Sequence, residues 1–432
     1  MTEPATPRRT LLSRTLLPRA LSPRALSPRT RWAVPAVVAV AVTGAFLAPP
    51  LLASADDAGL PDVTPAQLVA AIADAGPAPL SGTVVYTARL GLPELPMSDV
   101  SGADPTALLG GSSTLRVWTD GTARSRVSLL GATSEYSVVH DGSEAWTYSS
   151  TDDAAVHYSL DAAGTARYDA LAADAAAGTL PPVAGDLPTP AAAAQSALAQ
   201  AEEFSTISLD ASTTVAGRGA YQLVVIPKSS GTLVARVVIA VDAATHTPLR
   251  VQVWSTQDAS TPALEIGFTD VRFAAPSDEV LAFSAPAGAT VKDVVVPLPA
   301  TPTTPDPVDP ATAALPEGAT VTGTGWESVA QLSGLDVAGL VAGDPTALAT
   351  VPGAAPTIGS ATAQDLIDQF VPRDGSGSPA APGLDTSALY DQLTTVVPEG
   401  RLLTSRLLSV LVTNDGRVLV GAVPPETLRA KA

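Results

Sequence analysis

The sequence has 432 residues and lacks cysteine altogether, and it has few aromatic residues and few lysines. Without cysteine, the chain has no disulfide, no thiolate nucleophile, no cysteine-ligated zinc and no acceptor for a lipoprotein-type lipid anchor. Aromatic residues are only 4% of the chain, so its 46% apolar content is largely alanine and valine, which bury little area each. The lysines are Lys228, Lys292 and Lys431.

Acidic residues outnumber basic ones, 42 to 24, and the two signs are segregated along the chain. Residues 1–55 contain seven arginines and one acid, a balance of +6, so the remainder carries −24. An acidic body excludes a general nucleic-acid-binding role, which requires a basic face. It also disfavours broad adhesion to anionic lipid headgroups. We therefore expect any contact with lipid to use a local apolar surface.

The first 55 residues predict export. Residues 1–31 form a basic tail expected on the cytoplasmic side, and residues 32–55 form a largely apolar run with a proline-free centre at 36–48. That centre suits a signal peptide, and Ala53-Ser54-Ala55 matches a cleavage site. The full run is long enough for a retained signal anchor. The sequence thus predicts a location at the outer face of the cytoplasmic membrane, in the cell envelope, either anchored or secreted.

Short alternating runs separated by tight turns predict a mainly β body over residues 56–291. Asp-Gly pairs at 120–121 and 141–142 each separate two β-rich runs, which is a strong hairpin signal. A helix is expected over 64–75 with Thr64 as its N-cap, and the alanine-rich region 165–204 favours two more helices. Further strands are predicted at 82–90, 155–160, 213–216, 221–227, 232–241, 248–255, 263–273 and 280–284. Strands joined by tight turns pair antiparallel, so the expected fold class is mainly β (α+β).

A proline-rich linker at 292–317 separates this body from a smaller C-terminal α+β unit at 318–432. The unit is expected to contain a strand at 320–325 and helices at 327–332 and 363–370. Its clearest element is the hairpin at 402–423, which turns at Asn414-Asp415-Gly416.

The residues that carry chemistry are sparse. The three histidines, His140, His157 and His246, do not have the spacing of metal ligands, and turn or strand roles are the simpler interpretation. Sequence motifs of serine hydrolases, zinc proteases and P-loop nucleotide-binding proteins are absent. Two carboxylates distant in sequence stay open as an alternative. The sequence therefore predicts no enzyme activity, no metal and no cofactor.

Three segments of the body carry a resemblance to a known family. Residues 215–227 (VAGRGAYQLVVIP) place a glycine turn before a tyrosine strand, residues 237–253 contain V-D-x-x-T-x-x-P-L-R, and residues 268–291 close with F-x-x-P-x-x-x-x-x-x-F-x-x-P-x-G-A. With DGSEAWTYSS at 141–150, this pattern resembles the LolA lipoprotein-carrier family and the related RseB/MucB envelope-stress sensors. The resemblance implies an unclosed antiparallel half-barrel with covering helices, whose concave face holds acyl chains. Candidates for the cavity arginine of that family are Arg89, Arg116, Arg124 and Arg126.

Alternation along the strands places side chains in pairs on one face. The expected ligand-binding residues of the concave face, for which core filling is the alternative role, are Val84, Tyr86, Leu115, Val117, Trp146 and Tyr148. The predicted function is a cell-envelope carrier or holder of the acyl chains of lipids or lipoproteins. The alternative is an RseB-like sensor or regulator that binds an envelope signalling protein, such as an anti-sigma factor, through the C-terminal unit. The expected partners are a lipid or lipidated protein, that envelope protein, and the membrane through the N-terminal segment.

Overall fold

The structure is a computed structural model that describes residues 59–76, 78–92, 103, 105–176, 201–296, 318–341 and 386–432. The predictions for residues 1–31, 32–55 and 363–370, and most of the linker, lie outside these ranges. Among the helices in these ranges, none combines the length and the apolar character that crossing a membrane requires.

A 12-stranded sheet makes up the body, in the order β12-β6-β5-β4-β3-β2-β1-β11-β10-β9-β8-β7. The strands are β1 Leu80–Ala88, β2 Gly111–Thr119, β3 Arg124–Leu130, β4 Glu135–Asp141, β5 Glu144–Ser149, β6 Ala154–Leu160, β7 Ser205–Val215, β8 Arg218–Pro227, β9 Val234–Asp242, β10 Pro248–Ser255, β11 Leu264–Arg272 and β12 Thr290–Val296. Its neighbours pair antiparallel, except that β12 runs parallel to β6. The outermost strands β12 and β7 do not pair with each other, so the sheet is unclosed. The predicted fold class is confirmed.

Among the described residues, helices that accompany the sheet include α1 Pro65–Asp74, α2 Ala162–Ala176 and α3 Asp278–Leu281. The first begins as predicted, because Thr64 Oγ1 accepts the Gln67 N–H at 3.2 Å and Gln67 Oε1 accepts the Thr64 N–H at 2.8 Å. This reciprocal capping box satisfies two backbone donors that a helix leaves free at its start. The apolar side of α1, with Leu68, Val69 and Ile72, packs against the sheet.

The segment that leaves β11 differs from the prediction. The strand expected at 280–284 is wrong, because α3 occupies Asp278–Leu281 instead. The chain then enters β12, whose residues 292–296 fall within the range assigned to the linker. Parallel pairing fixes β12, with Lys292 opposite Val156 and Asp293 opposite His157. A contact between segments so far apart in sequence leaves no local signal.

The C-terminal unit is a six-stranded sheet in the order β13-β14-β18-β17-β16-β15. Its elements are β13 Ala319–Thr322, β14 Val329–Leu332, α4 Val337–Val341, α5 Thr386–Leu393, β15 Thr395–Val397, β16 Gly400–Thr404, β17 Ser409–Thr413, β18 Val418–Gly421 and α6 Pro425–Arg429. The helix predicted at 327–332 is wrong: a single 3-10 turn, Gly325–Glu327, leads into β14, which pairs with β18. Residues 402–413, predicted as the first strand of the hairpin, form two paired strands, β16 and β17.

The two units pack against each other through buried contacts. Trp326 is only 6% exposed, lies within the apolar core of the large sheet, and donates its Nε1–H to Ser205 Oγ at 2.8 Å. The carboxylate of Glu327 accepts the Gly231 N–H at 2.9 Å. At a second point, the Ala422 carbonyl accepts the Leu233 N–H at 2.7 Å. The C-terminal unit therefore completes one end of the core of the large sheet.

Candidate functional site

The register of the strands divides the large sheet into two faces, since directly opposed residues project to the same side. We call one side the inner face; in β1–β6 it carries the rows Val84, Leu115, Leu129, Tyr136 and Val117, Val127, Val138, Thr147, Val156. Through β11 the same face continues as Phe268, Ile266, Val251, Ile239 and Leu223. The opposite side is the outer face.

The six residues predicted to bind a ligand are divided between these faces. Val84, Tyr86, Leu115 and Val117 lie together on the inner face, because Val84 is opposite Leu115 and Tyr86 is opposite Ser113. Trp146 and Tyr148 lie on the outer face, since Trp146 is opposite Val139, which is in turn opposite Arg126. The structure brings the first four together and separates them from the last two. Ligand binding by any of the six stays a prediction.

In β1–β11 all the charged side chains lie on one face of the sheet. The Asp, Glu and Arg side chains of these strands all lie on the outer face: Arg116, Arg124, Arg126, Glu135, Asp141, Glu144, Asp210, Arg218, Arg236, Asp242, Arg250, Glu265, Asp270 and Arg272. Three of the four candidate cavity arginines are among them. The fourth, Arg89, follows β1, is exposed, and reaches the Pro262 carbonyl at 3.5 Å. None of the four therefore projects from the inner face.

The tyrosine side chains on the inner face are not charged near neutral pH. Burial raises the pKa of Tyr86. Burial also raises the pKa of Tyr158, against the opposing effect of a hydrogen bond with Thr147. Both phenols therefore stay neutral near pH 7. His140 projects to this side only at the exposed end of β4. The inner face of β1–β6 offers hydroxyl groups but no fixed charge.

The inner face is covered over part of its width only. Over β7–β10 it is buried by α1, whose Leu68 is 1% exposed, and by Trp326. Over β4, Val138 remains 43% exposed on the inner face, while its neighbour Val139 is 1% exposed on the outer face. A cavity beside Val84 and Phe268 has a volume of only about 10 Å³. That volume is below the ~300–1,000 Å³ of typical ligand pockets, so an elongated ligand needs the open strip of the face.

The outer face of β3–β6 is closed by the segment that contains α3. Leu281 is fully buried, and the ring of Phe283 lies 5.3 Å from that of Trp146 and 5.9 Å from that of Tyr148. Trp146 also stacks on His157 at 4.1 Å. The Nδ1 of His157 is 2.9 Å from Asp293 Oδ1, whereas its Nε2 lies 3.5 Å from Glu144 without hydrogen-bond geometry. These side chains join β12 to the sheet, which is a structural role.

The polar groups around Glu135 on the outer face satisfy one another. Glu135 accepts hydrogen bonds from Arg126 at 3.0 Å, from Ser128 at 2.8 Å and from Ser137. Burial raises the pKa of Glu135, but these three partners outweigh it and hold the pKa below its usual value. The carboxylate is therefore ionised and paired near pH 7. Such a group stabilises the sheet, and Glu135 itself is not a free acid or base.

No protein-family model and no curated protein matches the chain. Solved structures do resemble it. The complex of Pseudomonas aeruginosa MucA and MucB is 18% identical, with 84% of this chain and 94% of that chain covered and a TM-score of 0.35. A LolA superfamily protein from Nitrosomonas europaea is 10% identical over 51% and 99%, with a TM-score of 0.20. The resemblance noted in the sequence is thus confirmed among structural neighbours, at values too low to support an argument about function.

The sequence alone did not identify several residues of the inner face. Phe268, Ile266 and Val251 extend it across β11 and β10, and the alternation of those strands was a signal that could have located them. Trp326 comes from the other unit, so no pattern in the body predicted its place. Lys292 was assigned to the linker and lies on β12.

Proposed function

We propose that the chain binds the acyl chain of a lipid or lipidated protein along the inner face of β2–β6, as a carrier or holder in the cell envelope. One observation supports this most: in β2–β6 the large apolar side chain that stays exposed, Val138, lies on the face without charge. An apolar strip exposed to water is unfavourable, and a ligand that covers it removes that cost. No catalytic group is needed for this role.

The row from Val117 to Val156, whose end residues are 2% and 3% exposed, is about as long as one acyl chain. From Val117 on β2 to Val156 on β6 the row crosses four strand spacings, which is about 19 Å at ~4.8 Å each. An acyl chain spans one bilayer leaflet, about half of the ~30 Å hydrocarbon core. Each methylene group that leaves water contributes about 0.8 kcal/mol, before the cost of ordering the chain is subtracted.

A matched pair of valine variants tests this proposal. Val138 lies on the inner face and is 43% exposed, and Val295 lies on the outer side of β12 and is 54% exposed. Because both positions face solvent, Val138→Glu and Val295→Glu leave the fold intact. Only the first places a carboxylate on the strip, where a bound acyl chain would have to desolvate it at a cost of several kcal/mol.

Lipid bound to the full chain is measured by native mass spectrometry in a mild non-ionic detergent. We expect wild type and Val295→Glu to retain a dioleoyl lipid, and Val138→Glu to lose most of it. Thermal unfolding shows whether each variant is folded. Equal retention by the two folded variants would exclude the inner face as the binding surface.

A further inference from the structure

The inner face acquires a single fixed charge at its open edge. Lys292 is opposite Val156 in the parallel pair of β12 and β6, so its side chain belongs to the same row as Val117, Val127 and Val138. Its neighbour Asp293 projects to the outer face and is bonded there to His157. Across the described strands of the large sheet, Lys292 is the one Asp, Glu, Lys or Arg residue on the inner face.

Among the described residues, no acidic side chain pairs with the ammonium group of Lys292. The side chain is half-buried, and no carboxylate in the described part of the chain lies within ion-pair distance of it. Beside it on the inner face, Val156 is 3% exposed and Val294 is 6% exposed. A lysine usually pairs with an acid or extends into water, and in the described part of the chain Lys292 has no acid to pair with. An anion that docks here would supply the missing partner.

We infer that Lys292 binds the phosphate of the headgroup of a lipid whose acyl chain lies along the strip from Val156 to Val117. This inference rests on the proposed function. The row places the Cα of Lys292 about one strand spacing, ~4.8 Å, beyond that of Val156, so a chain laid along the strip has its head at β12. The three N–H donors of the ammonium suit phosphate oxygens. The strip then selects for the acyl chain, and Lys292 selects for the charge of the headgroup.

Two lipids with the same chains separate these contributions. Dioleoyl-phosphatidylglycerol carries a phosphate, and dioleoylglycerol does not. Each is titrated into the full chain in non-ionic detergent, with binding measured by native mass spectrometry, and inorganic phosphate serves as the third ligand. The variants are Lys292→Gln, Lys292→Arg, and Lys431→Gln as a control that removes the same charge from an exposed site.

We expect Lys292→Gln to weaken binding of phosphatidylglycerol about tenfold and to leave dioleoylglycerol unchanged, as suits the loss of one charge-assisted contact. Lys292→Arg keeps the preference, and Lys431→Gln alters neither lipid. An equal effect of Lys292→Gln on both lipids, or none on either, overturns the inference. So does binding of inorganic phosphate with the affinity of the lipid, since the acyl chain would then contribute nothing. If wild type retains neither lipid, the proposed function itself fails.

Discussion

The packing of Trp326 against the large sheet predicts that the two units unfold together. Its indole lies within the core that contains Leu68 and Tyr221, and its Nε1–H is bonded to the fully buried Ser205. Trp326→Ala removes this buried ring and leaves the Ser205 hydroxyl unpaired. Large-to-small substitutions of buried aromatic residues cost about 3–5 kcal/mol. We therefore expect a loss of that size in the free energy of unfolding of the whole chain.

Smaller changes separate the hydrogen bond from the packing. Trp326→Phe keeps most of the ring but leaves Ser205 without its donor, at about 1–3 kcal/mol. Ser205→Ala leaves the indole N–H unpaired, with a similar cost. The double variant removes both polar groups, so it should cost less than the sum of the two single changes. Trp254→Phe is the control, because the Nε1 of Trp254 is buried without a hydrogen-bond partner among the described residues.

Urea unfolding of the full chain, followed by far-UV circular dichroism and tryptophan fluorescence, provides the measurement. With a slope of about 2–3 kcal/mol per M, Trp326→Ala should lower the midpoint by about 1–2 M in both signals. The reasoning is refuted if the C-terminal unit unfolds in a separate transition that the substitution leaves unchanged. It is also refuted if Trp326→Phe and Trp254→Phe cost the same, since the bond to Ser205 would then contribute nothing.

Two further predictions concern the large sheet. A Cβ on Gly82 would lie 2.5 Å from the Asp270 carbonyl oxygen and 2.8 Å from the Phe268 ring, so Gly82→Ala should cost about 1–3 kcal/mol in urea unfolding. Gly110→Ala has open space and should be nearly neutral; equal costs would contradict the placement of Phe268. Burial raises the pKa of Asp242, but bonds from Arg218 at 2.6 and 2.8 Å and from Thr245 outweigh it and lower that pKa. The ion pair therefore stabilises the folded chain fully above the pKa of Asp242 in the unfolded chain, about 4, and this stabilisation is lost as the pH falls through its pKa in the folded chain. Asp242→Asn should flatten the dependence of the urea midpoint on pH below 5. An unchanged slope would contradict the role given to Asp242.

The elements that the sequence predicted correctly are those fixed by neighbouring residues. The Asp-Gly turns at 120–121 and 141–142 set their hairpins locally, and Thr64 with Gln67 begins α1 without help from the rest of the chain. The elements that it missed depend on distant partners. β12 exists because it pairs with β6, and β14 exists because it pairs with β18. A short apolar run can form either a helix or a strand, and its partner decides.

The faces on which the candidate residues lie were predicted only in part, for a related reason. Alternation correctly grouped Trp146 with Tyr148 and Leu115 with Val117, but it does not relate one strand to the next. That relation depends on the register of each hairpin, and a shift of one residue moves a whole strand to the other face. The pairing of Val139 with Trp146 cannot be predicted from the composition or the periodicity of either strand.

An ordinary one-sided sheet would explain the partition of charge by burying its apolar face and exposing its charged face to water. That explanation holds over β7–β10, where α1 covers the inner face. It does not hold around Val138 on β4, although Leu129 on the inner face of β3 is buried as that explanation requires. There the charged outer face is the covered one, since Ser128, Ser137 and Val139 are almost fully buried beneath the α3 segment, while Val138 on the uncharged face remains exposed. In an amphipathic sheet that served only as core, the uncharged face would be buried and the charged face exposed. The exposed valine of the inner face, Val138 on β4, thus lies in the row that ends at Lys292 on β12, the fixed charge of that face in the described strands.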